Sequence, residues 1–135
     1  MPLHPRTTKM LKHFRYEDLL KGLIVIEPVG FLDMVSLEKN AKLIATDSGG
    51  IQKEAYFHRV PCVTLRDETE WVETLEAKWN VVVGADSIQA ITDAVRDSIN
   101  FSGVRVSIAE YGEGKASQHI VRAIGNYFSD RTEDN

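Results

Sequence analysis

Cysteine is almost missing from this chain of 135 residues: Cys62 is the one thiol, so no disulfide within the chain and no cysteine-built zinc site is possible. A basic excess is missing too. Sixteen Lys and Arg stand against 20 Asp and Glu, a formal charge of −4 without a basic stripe, which argues against nucleic acid as a partner. No apolar run approaches the ~20 residues of a membrane helix, so no membrane association is expected. The opening "MPLHPRTTKML" has no apolar leader after its first charges, which points to the cytoplasm. His4, His13, His58 and His119 lack the spacing of metal ligands, and no metal is expected.

What is present fits one soluble α/β domain. The 43% hydrophobic and 27% charged content is that of an ordinary globular chain, and 135 residues suffice for a single core. Continuous apolar runs at Leu23–Ile26, Lys42–Ala45, Cys62–Leu65 and Asn80–Val83 suit strands buried on both faces. Helical patterns lie between them at Phe31–Lys39, Ile51–His58 and Glu70–Ala77. The alternation predicts a parallel sheet with right-handed crossovers. Two further amphipathic helices carry Ile88, Ile91, Val95 and Ile99, and then Ile120, Ile124, Tyr127 and Phe128. The segment "FSGVRVSIAEYGEGKAS" reads as an irregular connection, residues 129–135 as a disordered tail, and "TTKMLKHF" as a helix ahead of the first strand. Cys62, inside "VPCVTL", reads as a small buried side chain.

The chemistry concentrates at "ATDSGGIQKEA", Ala45 to Ala55, where a strand gives way to a helix through Asp-Ser-Gly-Gly. Ligands of open α/β sheets bind beyond the carboxyl ends of the strands. Gly49 and Gly50 permit close approach of an anion, Ser48 offers a hydroxyl and an N–H, and the following helix adds donors. Glu54 is placed to accept from a diol. The same residues also suit a plain capped helix, with Asp47 or Ser48 as the cap. The next loop, "RDETEW", opens on the same edge: Arg66 is a candidate phosphate contact and Glu68 and Glu70 favour a helix start, unless the loop is simply a solvated charged turn. "PLHPRT" sets His4 and Arg6 beside a stiffening proline, a weak signal alone.

In this order and spacing, "PLHPRT", "TDSGGIQKEA", "PCVTLRDETEWVE" and "YGEGKAS" resemble the C-terminal half of the non-hydrolysing UDP-N-acetylglucosamine 2-epimerases, from His4 to about Phe128. The resemblance implies the second Rossmann-like domain of a glycosyltransferase B architecture, here without its first strands and without the N-terminal epimerase domain. It implies that Ser48, Gly49 and Gly50 hold a diphosphate and that Glu54 binds the ribose. It also implies that the segment from Pro28 to Met34, with Val29 and Met34, borders the uracil. An aromatic often stands where Met34 is. Many members read "TERPE" where this chain reads "TEWVE"; Trp71 resembles the branch acting on UDP-2,3-diacetamido-glucuronic acid. His4 matches an effector-site histidine of some members, or a structural one.

The family reaction takes the proton from sugar C2, expels UDP to a glycal, and returns both with C2 inverted. It requires no added cofactor, and its carboxylates lie in the N-terminal domain. The resemblance therefore implies a UDP-sugar-binding part with no catalytic residue of its own, inactive alone. A non-catalytic nucleotide-sugar-binding module and half of a glycosyltransferase are the alternatives. Without the neighbours that join "LIVI" to "KLIA", a rearranged sheet or a homo-oligomer is expected, unless an N-terminal domain or partner chain completes the molecule.

Overall fold

The chain begins with a helix. His4 is its N-cap and Pro5 its first residue, where a missing N–H costs nothing, giving α1 (Pro5–Phe14). A 3₁₀ turn over Glu17–Leu20 follows, then α2 (Phe31–Lys39), β1 (Ile44–Thr46), α3 (Gly49–Phe57), β2 (Cys62–Thr64), α4 (Val72–Glu76), β3 (Asn80–Val82), α5 (Ile88–Asn100), a second 3₁₀ turn over Ala109–Tyr111, and α6 (Ala116–Asp130). This computed structural model describes residues 1–130.

The three strands form one parallel sheet in the order β1-β2-β3, with Ile44, Cys62 and Asn80 in register and Thr46, Thr64 and Val82 closing the same edge. The expected alternation and parallel pairing are therefore present, with helices flanking the sheet. β2, central and wholly buried, is the strand on which α3 and α5 pack.

The run Leu23–Ile26 is not a strand of this sheet. Ile26 makes an isolated parallel bridge to Pro2, and Leu23 and Ile24 are exposed. Hydrophobicity cannot make a strand without a neighbour to supply the ladder, and here the neighbour is a short stretch containing a proline without an N–H. Element ends also shift: α3 starts at Gly49, two residues before the expected Ile51, and α4 spans Val72–Glu76 rather than Glu70–Ala77. Ser129 belongs to α6 rather than to a tail, and residues 131–135 lie outside the described residues.

The core includes α3 and β2, with Ala55, Val60, Cys62 and Val63 buried, and an aromatic cluster between α3 and the α4–β3 junction. Tyr56, Ala77 and Ile108 are buried together, with Trp79 and Tyr111 packed around them. Tyr56 meets Tyr111 and Trp79 edge-on, at centroid distances of 5.2 and 6.1 Å, a favourable geometry for ring quadrupoles. The irregular stretch before α6 is fastened from this cluster: Ile108 donates its N–H to the Tyr56 hydroxyl at 2.8 Å, and Trp79 Nε1 donates to the Val106 carbonyl at 2.8 Å. Cys62 is a buried thiol, as expected, and burial pushes its pKa up to about 11.

Candidate functional site

Parallel strands put their carboxyl ends on one edge, so the turns after β1 and β2 must meet there. The first turn is short. Ser48 adopts extended backbone angles and caps α3, its hydroxyl accepting from the Ile51 N–H at a long 3.5 Å while its own N–H donates to Thr46 Oγ1 at 3.1 Å. Gly49 and Gly50 are the first two helical residues, so their N–H groups have no acceptor within the helix and lie at its positive end. The capped-helix reading and the anion-seat reading are thus compatible.

The second turn supplies charge. Arg66 pairs with Glu70 at 3.1 Å, and both lie against Gly49. A methyl group on Gly49 would collide with the Glu70 carboxylate and lie 3.7 Å from the Arg66 guanidinium. The close approach that a glycine permits is therefore used, by a carboxylate that already sits near the helix N-terminus. Glu70 does not start α4, as its position suggested; it faces back toward α3.

Side chains lock the two turns together. Trp71 Nε1 donates to the Gly49 carbonyl at 2.8 Å, and the Lys53 ammonium lies 4.4 Å from the Trp71 ring. Thr69 donates its hydroxyl to Gln52 Oε1 at 2.6 Å and accepts from the Trp71 N–H at 3.1 Å. Gln52, fully buried in the first turn of α3, also accepts from Asn80 Nδ2 at 3.2 Å, and Asn80 in turn accepts from the Thr64 hydroxyl at 2.8 Å. This chain of polar contacts ties the sheet to the turn.

The structure brings Ser48, Gly49, Gly50 and Arg66 to one place. Glu54 lies about 7 to 8 Å further along the α3 axis at the standard rise per residue. It is half-buried, and its carboxyl neighbours that of Glu38 on α2. Val29 and Met34, both half-buried, are placed by the approach to α2 and by its first turn rather than by the β1–α3 turn. His4 is exposed at the N-terminal end of α1, its Nδ1 accepting from the Arg6 N–H at 3.2 Å, a structural cap. Two cavities lie elsewhere, one of about 470 Å³ along α6 at Ser117 and Val121 and one of about 210 Å³ between β3 and α5 at Asn80 and Phe101. In the β1–α3 turn Asp47 and Gly50 are exposed and Ser48 and Gly49 half-buried. No group of three or more His, Cys, Asp or Glu suited to a metal ion occurs among the described residues, and no described helix is long and apolar enough to cross a membrane.

Sequence reasoning passed over Gln52, Thr69 and Glu38. A signal was available: Gln52 shares a helix face with buried Ala55 and Tyr56, and Glu38 shares one with half-buried Met34 and Val35. A polar residue on an apolar stripe needs a partner.

A family model described as UDP-N-acetylglucosamine 2-epimerase matches residues 1–125. The chain is 44% identical over 133 residues to a UDP-N-acetylglucosamine 2-epimerase homolog of Methanococcus maripaludis, covering 93% of this chain and 35% of that protein. It is 42% identical over 120 residues to a UDP-2,3-diacetamido-2,3-dideoxy-D-glucuronate 2-epimerase of Pseudomonas aeruginosa, covering 89% of this chain and 32% of that one. Among solved structures, the Methanocaldococcus jannaschii UDP-GlcNAc 2-epimerase in complex with UDP-GlcNAc and UDP superposes with a TM-score of 0.79 at 45% identity, covering 93% of this chain and 34% of that chain. The chain thus spans about a third of the length of these relatives.

Proposed function

Since this chain belongs to the UDP-N-acetylglucosamine 2-epimerase family, we propose that it is the UDP-sugar-binding part of such an epimerase and does not turn substrate over alone. The observation that carries this reading is the convergence of the α3 N-terminus, Gly49 and Arg66 on one point. Free N–H groups, a helix dipole and a guanidinium are the groups a diphosphate requires. Glu54, further along the same helix, is at a distance suited to a ribose diol. Val29 and Met34 complete the proposal as the border of the base, with the Met34 thioether packing on its face.

The sugar would project past Arg66 toward whatever body supplies the acid and base at C2, an N-terminal domain or a partner chain. Inversion there needs a proton donor and an acceptor on opposite faces of the ring. The sheet edge described above offers Asp47, Glu68 and Glu70 on one side only. A preference for a charged sugar remains the finer proposal, on the ground that Trp71 stands where many family members carry arginine. The cytoplasm is the proposed location; no redox or metal cofactor enters the scheme.

Calorimetric titration with UDP tests the assignment. Ser48→Ala and Glu54→Ala are each expected to weaken binding by about 1 to 3 kcal/mol, the usual cost of removing one partner of a charged hydrogen bond. Parent-like affinity in both variants would remove Ser48 and Glu54 from the site.

A further inference from the structure

Behind Glu54 lies a carboxyl group that none of these roles uses. Glu38, near the end of α2, is 3% exposed, and among the described residues no N–H or O–H donates to either of its oxygens. His58 Nε2 is 3.6 Å from Glu38 Oε2, beyond hydrogen-bond reach. That distance allows an ion pair when the imidazole is charged, and the Glu54 carboxyl, one turn earlier on the same helix face, is the acidic neighbour of Glu38. Glu54 and His58 are four residues apart on α3, so both present to α2 on the same face.

Two ionised carboxylates have only acceptors and repel one another, so their contact is a hydrogen bond only when one of them holds a proton. The more buried group is the one that keeps it. Burial, and then the neighbouring Glu54, push the Glu38 carboxyl above the ordinary glutamate range.

We propose that Glu38 is a positioning residue for ribose recognition: its carboxylic acid donates to Glu54 and fixes that carboxylate in the orientation that accepts from the ribose hydroxyls. The inference rests on the assignment of Glu54 to the ribose. Glu38 touches no ligand. It acts by holding one oxygen of Glu54, leaving the other oxygen and the remaining lone pairs for the diol. The titratable groups that face it are Glu54 and His58, both from α3.

The test compares the binding of UDP and of 2′,3′-dideoxy-UDP, which lacks the diol, by calorimetry with the whole chain. The ratio of the two affinities reads ribose recognition and cancels the ionisation of the diphosphate. Wild type is expected to favour UDP by about tenfold or more, the equivalent of one charge-assisted hydrogen bond. Glu38→Gln, whose amide still donates, should keep that preference, whereas Glu38→Leu should lose most of it while binding the dideoxy compound as wild type does.

A pH series supplies a readout that packing alone would not move. As pH rises and Glu38 gives up its proton, the wild-type preference should fall, and that of Glu38→Gln should stay level. This second arm stands even if Glu38→Leu does not fold. A preference lost in Glu54→Ala but intact in Glu38→Leu, or a pH profile shared by wild type and Glu38→Gln, overturns the inference and leaves the ribose site standing. A preference intact in Glu54→Ala overturns the ribose assignment and the inference with it.

Discussion

Gly49 sets how closely any anion can approach the α3 N-terminus. A β-carbon there would meet only the far end of the Glu70 side chain, which is flexible and half exposed, so Gly49→Ala should fold with little change in melting temperature. The methyl group would nevertheless stand in the seat, and UDP affinity should drop at least tenfold, by about 1.4 kcal/mol or more. Glu70 has the opposite sign. Its carboxylate lies against Gly49 in the proposed seat and engages Arg66, so Glu70→Gln should tighten UDP binding, by no more than the ~1 kcal/mol of an exposed ion pair; weaker binding would mean that Glu70 helps to hold the ligand. Cys62 gives a prediction for pH. Its pKa is raised by burial from 9.0 to about 11, so the folded state holds its proton more tightly than the unfolded chain does. That stability contribution is complete below pH 9 and is lost as pH rises toward 11, and at pH 8 a thiol reagent should label Cys62 only after denaturation. At this scale the turn and its cap were legible in the sequence, because Ser-Gly-Gly between an apolar run and a helix suits a capped helix start. Glu38 and Gln52 were not: their roles come from partners on α2 and on the loop after β2, which no local pattern places beside them.

Among the elements, β1, β2 and β3 and the helices between them follow from alternating apolar runs and helical periods. The Leu23–Ile26 run marks the limit of that reasoning. It has the composition of a buried strand, but a strand is a pairing, and the pairing it finds is a single bridge to Pro2. Helix starts were misplaced for a related reason. Glycines read as turn residues, whereas Gly49 and Gly50 are helical because Ser48 caps them and Trp71 holds the Gly49 carbonyl. The loop after β2 owes its position to Gln52. Gln52→Leu would leave the Thr69 hydroxyl without its acceptor and the Asn80 amide with only Thr74 Oγ1, at 3.4 Å, and should destabilise the fold by about 1 to 3 kcal/mol in urea melts. Because that loop carries Arg66, UDP affinity should fall as well. Unchanged stability would mean that the buried polar chain is incidental to the fold.

The whole molecule leaves a good deal of apolar surface open. Ile24 is 83% exposed, Val121 70% and Phe128 62%, and the sheet edge at β1 has no partner strand among the described residues. Such surfaces attract a second body. Alone in solution the chain should associate with itself, and sedimentation should show dimers or larger species that Val121→Asp shifts toward monomer; a stable monomer at high concentration would contradict this. Incubated in deuterated water with UDP-N-acetylglucosamine, the chain should place no deuterium at C2, since on the proposed reading the acid and base for C2 come from another body. The central claim, that the turn joining β1 to α3 holds the diphosphate and Glu54 the ribose, is tested most directly by following backbone amide resonances while UDP is added. The account predicts that the amides of Ser48, Gly49, Gly50 and Ile51 move most, with those around Glu54 following, and that uridine without phosphates leaves the glycine amides in place. Shifts centred on the α6 cavity at Ser117 and Val121, or an unresponsive Gly49 and Gly50 at saturating UDP, would contradict it.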